Sequence, residues 1–401
     1  MSVSIAANLQ EPAPITPDAI PAVRRRVTSV DLVRGIVMIL MALDHTRDYF
    51  GKLHFPPEDL TRSTPLLFAT RWITHFCAPT FFLLAGVGAG LAVSGGKSTR
   101  EVSRFLFTRG LWLVVLEVTV SALGWNFKLG FPLILLVIWA LGLSMVILSG
   151  LIFLPKPIIT AIALITIAGH NLLDNVGAGT MSGGSAFWHI LHRPGLISTQ
   201  PLIIVAYPLI PWFAVMALGF VLGDVFRWER ERRTRFLLLA GTASIIAFIA
   251  VRFLNAYGNP FPWAPQKTAA LTVASFLNAM KYPPSLDYLL MTLGPTLIAL
   301  ALFENTRGSL AGAVSVYGRV PMFYYLGHIY VIHILAGALA LWQGGTAGFL
   351  SLDTGSYPKW YGTTLPGVYA MWALIILIMY LPCRWFANLK SRRRDWWLSY
   401  I

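Results

Sequence analysis

The sequence is divided into apolar blocks of about 17 to 25 residues, and this division constrains the fold more than any other feature. Short polar or Pro/Gly-rich stretches separate the blocks. An α-helix needs this length to cross the hydrocarbon of a bilayer, whereas membrane barrels show shorter, alternating segments. We therefore predict an all-α, polytopic membrane bundle of about ten transmembrane helices. The predicted spans are residues 35–50, 72–93, 106–124, 131–150, 158–173, 201–223, 236–254, 286–303, 321–342 and 367–383.

Composition and charge agree with a membrane protein. Apolar and aromatic residues make up 56% of the chain, charged residues make up 12%, and the mean hydropathy is +0.66. A soluble domain could not bury so much apolar surface, so the lipid bilayer is the expected partner. The net charge of +14 raises the question of nucleic acid. However, the loops on one side of the predicted bundle carry nearly twice as many Lys and Arg residues as those on the other. This asymmetry predicts cytoplasmic N- and C-termini and no nucleic-acid partner.

Three regions are expected along the chain. Residues 1–26 are polar and Pro-rich, with no apolar core of a signal peptide, and we predict a disordered cytoplasmic segment. Residues 27–383 form one transmembrane domain. Residues 384–401 alternate basic and aromatic side chains, which favours an amphipathic tail on the inner leaflet of the membrane.

The first predicted span is unusually rich in ionisable residues, which are costly inside a membrane and therefore candidates for function. Helical rise places His45 about 16 Å beyond Arg34, roughly midway through a ~30 Å core. A histidine at that depth can accept a proton near neutral pH, or it can bridge two helices as a neutral hydrogen-bonding group. Asp44 and Asp48 share one helix face, and His45 points about 100° away from Asp44.

Other polar residues inside or beside the spans are candidates for support. Arg71 and His75 share a helix face, and Arg71 is expected to pair with Asp44 or Asp48, chiefly as scaffolding. His170 and Asp174 lie one turn apart, where a helix cap is the simplest interpretation. His328 follows a glycine, and core packing is its leading interpretation. His189 and His192 have a metal-compatible i,i+3 spacing but lie in a predicted loop with no matching ligands, so we expect no metal.

Several sequence blocks carry a resemblance to a known family. They are Ser29–Gly35, Asp44–Phe50, Thr70–Gly86, Tyr207–Trp212, Lys281–Leu286, Gly318–Pro321, Tyr324–His328 and Arg394–Tyr400. Together they resemble the bacterial branch of the heparan-alpha-glucosaminide N-acetyltransferase catalytic-domain family. This resemblance implies a transmembrane acyltransferase of the bacterial inner membrane. Such an enzyme moves an acetyl or other short acyl group from cytoplasmic acetyl-CoA to an extracytoplasmic acceptor, an amino sugar or cell-envelope glycan.

The resemblance also implies roles for individual residues. The wider superfamily opens its first span with Asp-x-x-Arg-Gly and has a His eleven residues after the Arg, a spacing that Arg34 and His45 fit. His45 is the favoured catalytic base, with Asp44 beside it. His54 is the rival base, because the animal enzyme carries Asn at the position of His45 and its proposed catalytic His in the following luminal loop. Arg34, Arg104 and Arg109 are expected to hold the phosphates of coenzyme A. The supporting polar shell is Asp48, Arg71, His75, His170, Asp174 and His328.

Three questions stay open from the sequence. Acetyl could pass directly to the acceptor or through an acetylated histidine. A membrane transporter or permease with a buried polar path, or a partner-binding membrane protein, would carry similar buried charges. The assembly is also open, and a homodimer is one candidate.

Overall fold

The computed structural model describes residues 27–52, 55–128, 130, 132–176, 184–350, 357–393 and 395–401. The predicted N-terminal segment, residues 1–26, and the rival base His54 lie outside this part of the chain. The described chain is mostly helical. Its α-helices are α1 (Thr28–Phe50), α2 (Pro65–Thr74), α3 (Cys77–Ser94), α4 (Thr99–Leu116), α5 (Ala122–Asn126), α6 (Val137–Leu151), α7 (Lys156–Gly169), α8 (Gly184–Leu191), α9 (Trp212–Leu222), α10 (Arg230–Leu254), α11 (Ala269–Leu277), α12 (Leu286–Leu302), α13 (Ser309–Arg319), α14 (Pro321–Trp342) and α15 (Leu365–Arg392).

By length and composition, 7 helical segments among the described residues can cross a membrane. They are Pro65–Ser94, Thr99–Asn126, Lys156–Leu173, Arg230–Leu254, Leu286–Asn305, Pro321–Trp342 and Leu365–Arg392. The other three predicted spans coincide with α1, α6 and α9. Helix α1 carries charged side chains near both ends, and α6 and α9 have only 15 and 11 residues. The fold is therefore that of a polytopic helical membrane protein.

The all-α prediction is incomplete, because the structure contains a small three-stranded sheet. Strands β1 (Leu133–Leu135), β2 (Gly195–Thr199) and β3 (Leu202–Val205) lie in the order β1-β3-β2. Strand β3 pairs in parallel with β1 and antiparallel with β2. The predicted spans 131–150 and 201–223 thus begin as strands. Proline explains this difference, because Pro132, Pro201, Pro208 and Pro211 lack the N–H that a continuous helix needs.

Glycines allow several helix pairs to pack backbone against backbone. A Cβ atom on Gly86 of α3 would lie 1.9 Å from the Met216 carbonyl oxygen of α9, and one on Gly219 would lie 2.1 Å from the Leu83 carbonyl oxygen. Helices α1 and α13 approach as closely, since a Cβ on Gly318 would lie 1.9 Å from the Asp31 carbonyl oxygen. Small residues permit such contacts in membrane bundles. Helix α1 also contacts α2, α3, α12, α14 and α15, so its polar residues lie at the centre of the bundle.

Candidate active site

Two internal cavities lie along α1 and meet end to end. The first, about 460 Å³, follows the C-terminal half of α1 and is lined by Asp44, His45, Arg47 and Asp48 among others; we call it the His45 cavity. The second, about 370 Å³, follows the N-terminal half and is lined by Arg34; we call it the Arg34 cavity. Both are lined by the same three side chains, Phe81, Val137 and Tyr325, which we call the neck. The neck is therefore the boundary between the two cavities.

His45 forms a hydrogen bond with His328 of α14. The His45 Nδ1 and His328 Nε2 atoms are 2.8 Å apart, and His328 Nδ1 lies 2.9 Å from the Tyr324 carbonyl oxygen. A carbonyl oxygen can only accept, so in the neutral His328 ring the proton is on Nδ1 and Nε2 is the acceptor. His45 then donates through its own Nδ1, which leaves a lone pair on His45 Nε2. The hydrogen-bond network thus favours the His45 tautomer with its proton on Nδ1, and His45 lines the cavity.

Asp44 is held by several cations. One Arg71 nitrogen lies 2.7 and 2.6 Å from the two Asp44 carboxylate oxygens, and Arg47 contacts the same carboxylate at 2.7 Å. Lys281 Nζ lies 3.8 Å from it, and the Thr74 hydroxyl donates at 3.0 Å. The predicted pair between Arg71 and Asp44 is therefore confirmed. Nearby cations favour the ionised form of a carboxylate, so Asp44 is suited to holding these cations in place rather than to accepting a proton.

A glutamate in the α1–α2 loop completes this cluster. Glu58 Oε1 accepts a 2.6 Å hydrogen bond from Arg71 Nε and lies 3.9 Å from His75 Nε2. Burial tends to raise the pKa of Glu58, but its contact with His75 and the charge of Arg71 outweigh that effect, so the pKa lies below its ordinary value. His75 is buried behind the cavity, and neither of its ring nitrogens has a hydrogen-bond partner within the described chain. Asp48, which is half-exposed, pairs with Arg47 at 2.7 Å.

Glu58, Lys281 and Tyr282 were not among the site residues predicted from the sequence, although all three line the His45 cavity. Lys281 belongs to the predicted family block Lys281–Leu286, and that block was the only signal pointing to it. Glu58 lies in a polar loop where an acidic residue is unremarkable. The positions of Glu58, Lys281 and Tyr282 in the cavity depend on contacts between segments far apart in sequence. The periodicity of apolar residues along a helix does not predict such contacts.

His170 and Asp174 do not line either cavity in the part of the chain that is described. His170 Nε2 lies 2.8 Å from the Pro284 carbonyl oxygen, and Asn171 accepts a 2.9 Å hydrogen bond from the Leu286 backbone N–H. Asp174 pairs with His192 at 2.9 Å. Burial tends to raise the pKa of Asp174, but hydrogen bonds from His192 and Asn171 lower it below its ordinary value. These residues therefore hold the segment that carries Lys281 and do not contact either cavity.

Five basic side chains line the Arg34 cavity. Besides Arg34 and Arg109, the cavity is lined by Lys97, Arg319 and Lys390. Arg34 donates a 3.1 Å hydrogen bond to the Gly318 carbonyl oxygen, which ties it to α13. Arg104, which the resemblance assigns to the same task, is exposed and is not among the described residues that line this cavity. Most of the remaining wall is apolar, including Leu84, Leu113 and Met145.

The C-terminal residues pack beside this cavity. Helix α15 continues to Arg392, past the expected start of the tail at residue 384, and a short 3-10 turn follows at Trp396–Ser399. Arg109 donates to the Ser399 carbonyl oxygen, Lys390 donates to the Ile401 carbonyl oxygen at 3.2 Å, and Leu398 is buried. The last residues of the chain, Ser399 and Ile401, therefore contact two cations that line the cavity.

The fold and the two cavities define a polytopic membrane protein with one cavity that contains a buried histidine pair and a second cavity lined by basic residues. The sequence matches the family described as heparan-alpha-glucosaminide N-acetyltransferase, catalytic, over residues 26–258, which is more than half of the chain. The chain therefore belongs to this family, and the membership supports acetyltransferase activity. No curated protein matches the sequence. Among the described residues, no group of three or more His, Cys, Asp or Glu side chains is arranged to hold a metal ion.

Proposed function

We propose that this protein is a transmembrane acyltransferase. It takes an acetyl or other short acyl group from cytoplasmic acetyl-CoA and transfers it to an extracytoplasmic amino sugar or cell-envelope glycan. One observation carries the proposal: a basic cavity and a cavity that contains a histidine base meet at a shared neck. Family membership supports the same reaction class. Two substrates that enter from opposite ends would meet at that neck.

The proposed placement in the membrane uses ten crossings. Helices α1, α6 and α9 join the seven segments that are long and apolar enough to span. Both termini face the cytoplasm of a bacterium, because the loops on that side hold most of the Lys and Arg residues. The Arg34 cavity then opens toward the cytoplasm and the His45 cavity toward the opposite side.

The Arg34 cavity suits an anionic nucleotide thioester. Arg34 and Arg109 would contact its phosphates, and Lys97, Arg319 and Lys390 add positive charge to the same cavity. The apolar wall toward the neck would accept the uncharged pantetheine arm and bring the thioester to Tyr325. Because Arg104 is exposed outside this cavity, we leave it out of the proposed donor site.

The His45 cavity suits the acceptor. The lone pair on His45 Nε2 would take a proton from the attacking amine or hydroxyl, and His328 would stabilise the resulting imidazolium by accepting from Nδ1. Trp125, Tyr207 and Tyr282 give the cavity aromatic faces with polar edges, which suit a ring that carries hydroxyl groups. Direct transfer needs only these groups. An acetyl-histidine intermediate is the alternative route.

Thioester turnover by the purified protein tests the proposal. Acetyl-CoA is supplied with a panel of amino sugars and envelope glycans, and free coenzyme A thiol is measured. His45→Gln should abolish release while the protein stays folded in detergent, and His54→Gln is the matched variant for the rival base. Activity that survives His45→Gln and is lost in His54→Gln would move the base to the loop. Radiolabelled acetyl bound to the protein without acceptor would favour the acetyl-histidine route.

Two cavities that meet at a narrow neck would also serve a transporter or permease, which is the second candidate. Reconstituted liposomes separate the two functions. Uptake of a solute without any release of coenzyme A thiol would support transport and contradict the acyltransferase proposal.

A further inference from the structure

Acyl transfer from a thioester develops negative charge on an oxygen, and the proposed reaction therefore needs hydrogen-bond donors for it. The acceptor nitrogen or oxygen forms a bond to the carbonyl carbon, and the carbonyl π electrons move to its oxygen. Collapse of this intermediate re-forms the C=O bond and breaks the C–S bond, whose electron pair goes to sulfur. In a site that excludes water, donors fixed in advance stabilise such an oxyanion strongly.

Most donors around His45 are already engaged. Arg71 and Thr74 donate to Asp44, Lys281 lies beside the same carboxylate, and Cys77 Sγ donates to the Val37 carbonyl oxygen at 3.2 Å. Arg47 has one unpartnered nitrogen, but its guanidinium is held by Asp44 and Asp48.

The indole of Trp125 is different. Its Nε1 atom is buried and has no hydrogen-bond partner within the described chain, and the residue is only 5% exposed. A buried donor without a partner costs free energy of folding, so its retention in a cavity wall points to a ligand.

Trp125 is held against the histidine base. Its ring lies edge-on to the His45 ring, with centroids 4.8 Å apart and planes at 74°. Its backbone carbonyl oxygen accepts a hydrogen bond from the buried Tyr49 hydroxyl, which fixes the end of α5. The residue also lines the His45 cavity, so the same indole contacts the base and borders the space for the substrate.

Tyr325 provides a second donor, and its hydroxyl lies beside the Trp125 side chain. It lies one helical turn before His328, and its ring is 6.4 Å from the His45 ring with planes at 83°. It lines both cavities, which means that a group passing from one cavity to the other must pass its side chain. Trp125 and Tyr325 thus both contact the imidazole, and Tyr325 does so at the neck.

We propose that the Trp125 Nε1–H and the Tyr325 hydroxyl form the oxyanion site of this enzyme. The inference rests on the proposed acyltransferase function and adds two catalytic residues to it. While they hold the oxyanion, His45 Nε2 takes the proton of the acceptor. The His45 imidazolium then gives that proton to the departing thiolate, so the products are the acylated acceptor and free coenzyme A thiol.

Single-donor deletions test this site. Trp125→Phe removes the N–H but keeps an aromatic ring, and benzothienylalanine at position 125 replaces the N–H by sulfur in a ring of nearly the same shape. Tyr325→Phe removes the second donor. The matched control is Tyr324→Phe, because the Tyr324 hydroxyl is also buried and unpartnered in the described chain, yet Tyr324 is not among the residues that line either cavity.

We expect each deletion at Trp125 or Tyr325 to lower kcat about 100- to 1,000-fold, with KM for acetyl-CoA changed less than about threefold. Tyr324→Phe should keep the kcat of the original protein. The inference is overturned if benzothienylalanine at position 125 leaves kcat unchanged, or if Tyr324→Phe loses as much activity. An unchanged kcat in Tyr325→Phe alone would remove Tyr325 from the site. If the unmodified protein turns over no thioester, the proposed function itself fails, which is a different outcome.

Discussion

Replacement of His328 by Phe should lower kcat while the residues that line both cavities stay in place. His328 is fully buried, and its Nε2 atom is the acceptor for His45 Nδ1–H. In His328→Phe that N–H would lose its partner, and an unsatisfied buried donor costs about 1–3 kcal/mol. The imidazolium that forms during transfer loses more, because a hydrogen bond from a charged donor is worth about 1.5–3 kcal/mol and one between neutral groups about 0.5–1.5 kcal/mol. Only this excess, about 1–1.5 kcal/mol, raises the barrier, so kcat should fall about 5- to 10-fold at about 1.36 kcal/mol per factor of ten.

The variant His328→Gln separates two roles of His328, which are the hydrogen bond that orients His45 and packing in the core. In His328→Gln the side-chain amide oxygen can accept from His45 Nδ1–H, so this variant should retain more activity than His328→Phe. His333→Phe is the packing control, because His333 lies on the same helix, stacks on Phe127 with centroids 3.8 Å apart and is not among the described residues that line the cavities.

The assay is release of coenzyme A thiol at saturating acetyl-CoA and acceptor, with thermal melting in detergent to monitor folding. The reasoning is wrong if His328→Phe keeps full kcat while folded. It is also wrong if His328→Gln and His328→Phe lose the same activity, because the tautomer of His45 would then not depend on an acceptor at position 328.

Three further predictions follow from charge and packing. Arg109→Gln should raise KM for acetyl-CoA about tenfold or more, because a charged contact to phosphate is lost. The control Arg104→Gln should leave KM unchanged. Equal effects of the two substitutions on KM would contradict the assignment of the donor cavity. Asp44→Asn should destabilise the protein by about 3–5 kcal/mol, because its arginine partners lose their buried counter-charge, and an unchanged unfolding free energy would refute this. Gly86→Ala should reduce the yield of folded protein in size-exclusion chromatography, since the added Cβ meets a backbone oxygen, while Gly88→Ala, with no atom within 4 Å of its Cβ, should not; similar yields would show that α3 and α9 need no close approach.

Much of α1 could be predicted from the sequence because the relevant interactions are local or periodic. Helical rise alone predicted that Arg34 and His45 lie far apart along the axis of α1. The structure places them in different cavities. The pair between Arg71 and Asp44 followed from the high cost of an isolated charge inside a membrane. These inferences needed only helix geometry and electrostatics.

The partners of His45 could not be predicted in this way. His328 lies on α14, and nothing in the pattern of α14 distinguishes a ring that packs in the core from one that orients a base. The donor role of Trp125 depends on an unsatisfied indole, which is visible only once its surroundings are known. The small sheet was missed because a short apolar run gives the same hydropathy signal as a buried strand or a helix.

The neck, formed by Phe81, Val137 and Tyr325, lies between the two cavities. Under the proposed orientation, one cavity belongs to the cytoplasm and the other to the outside, so most of the membrane voltage falls across Phe81, Val137 and Tyr325. Moving one elementary charge through 100 mV is worth about 2.3 kcal/mol, and a leak here would dissipate the proton gradient of the cell. In that orientation the bulk of Phe81 and Val137 would insulate the membrane, and an enzyme with a widened neck would conduct ions.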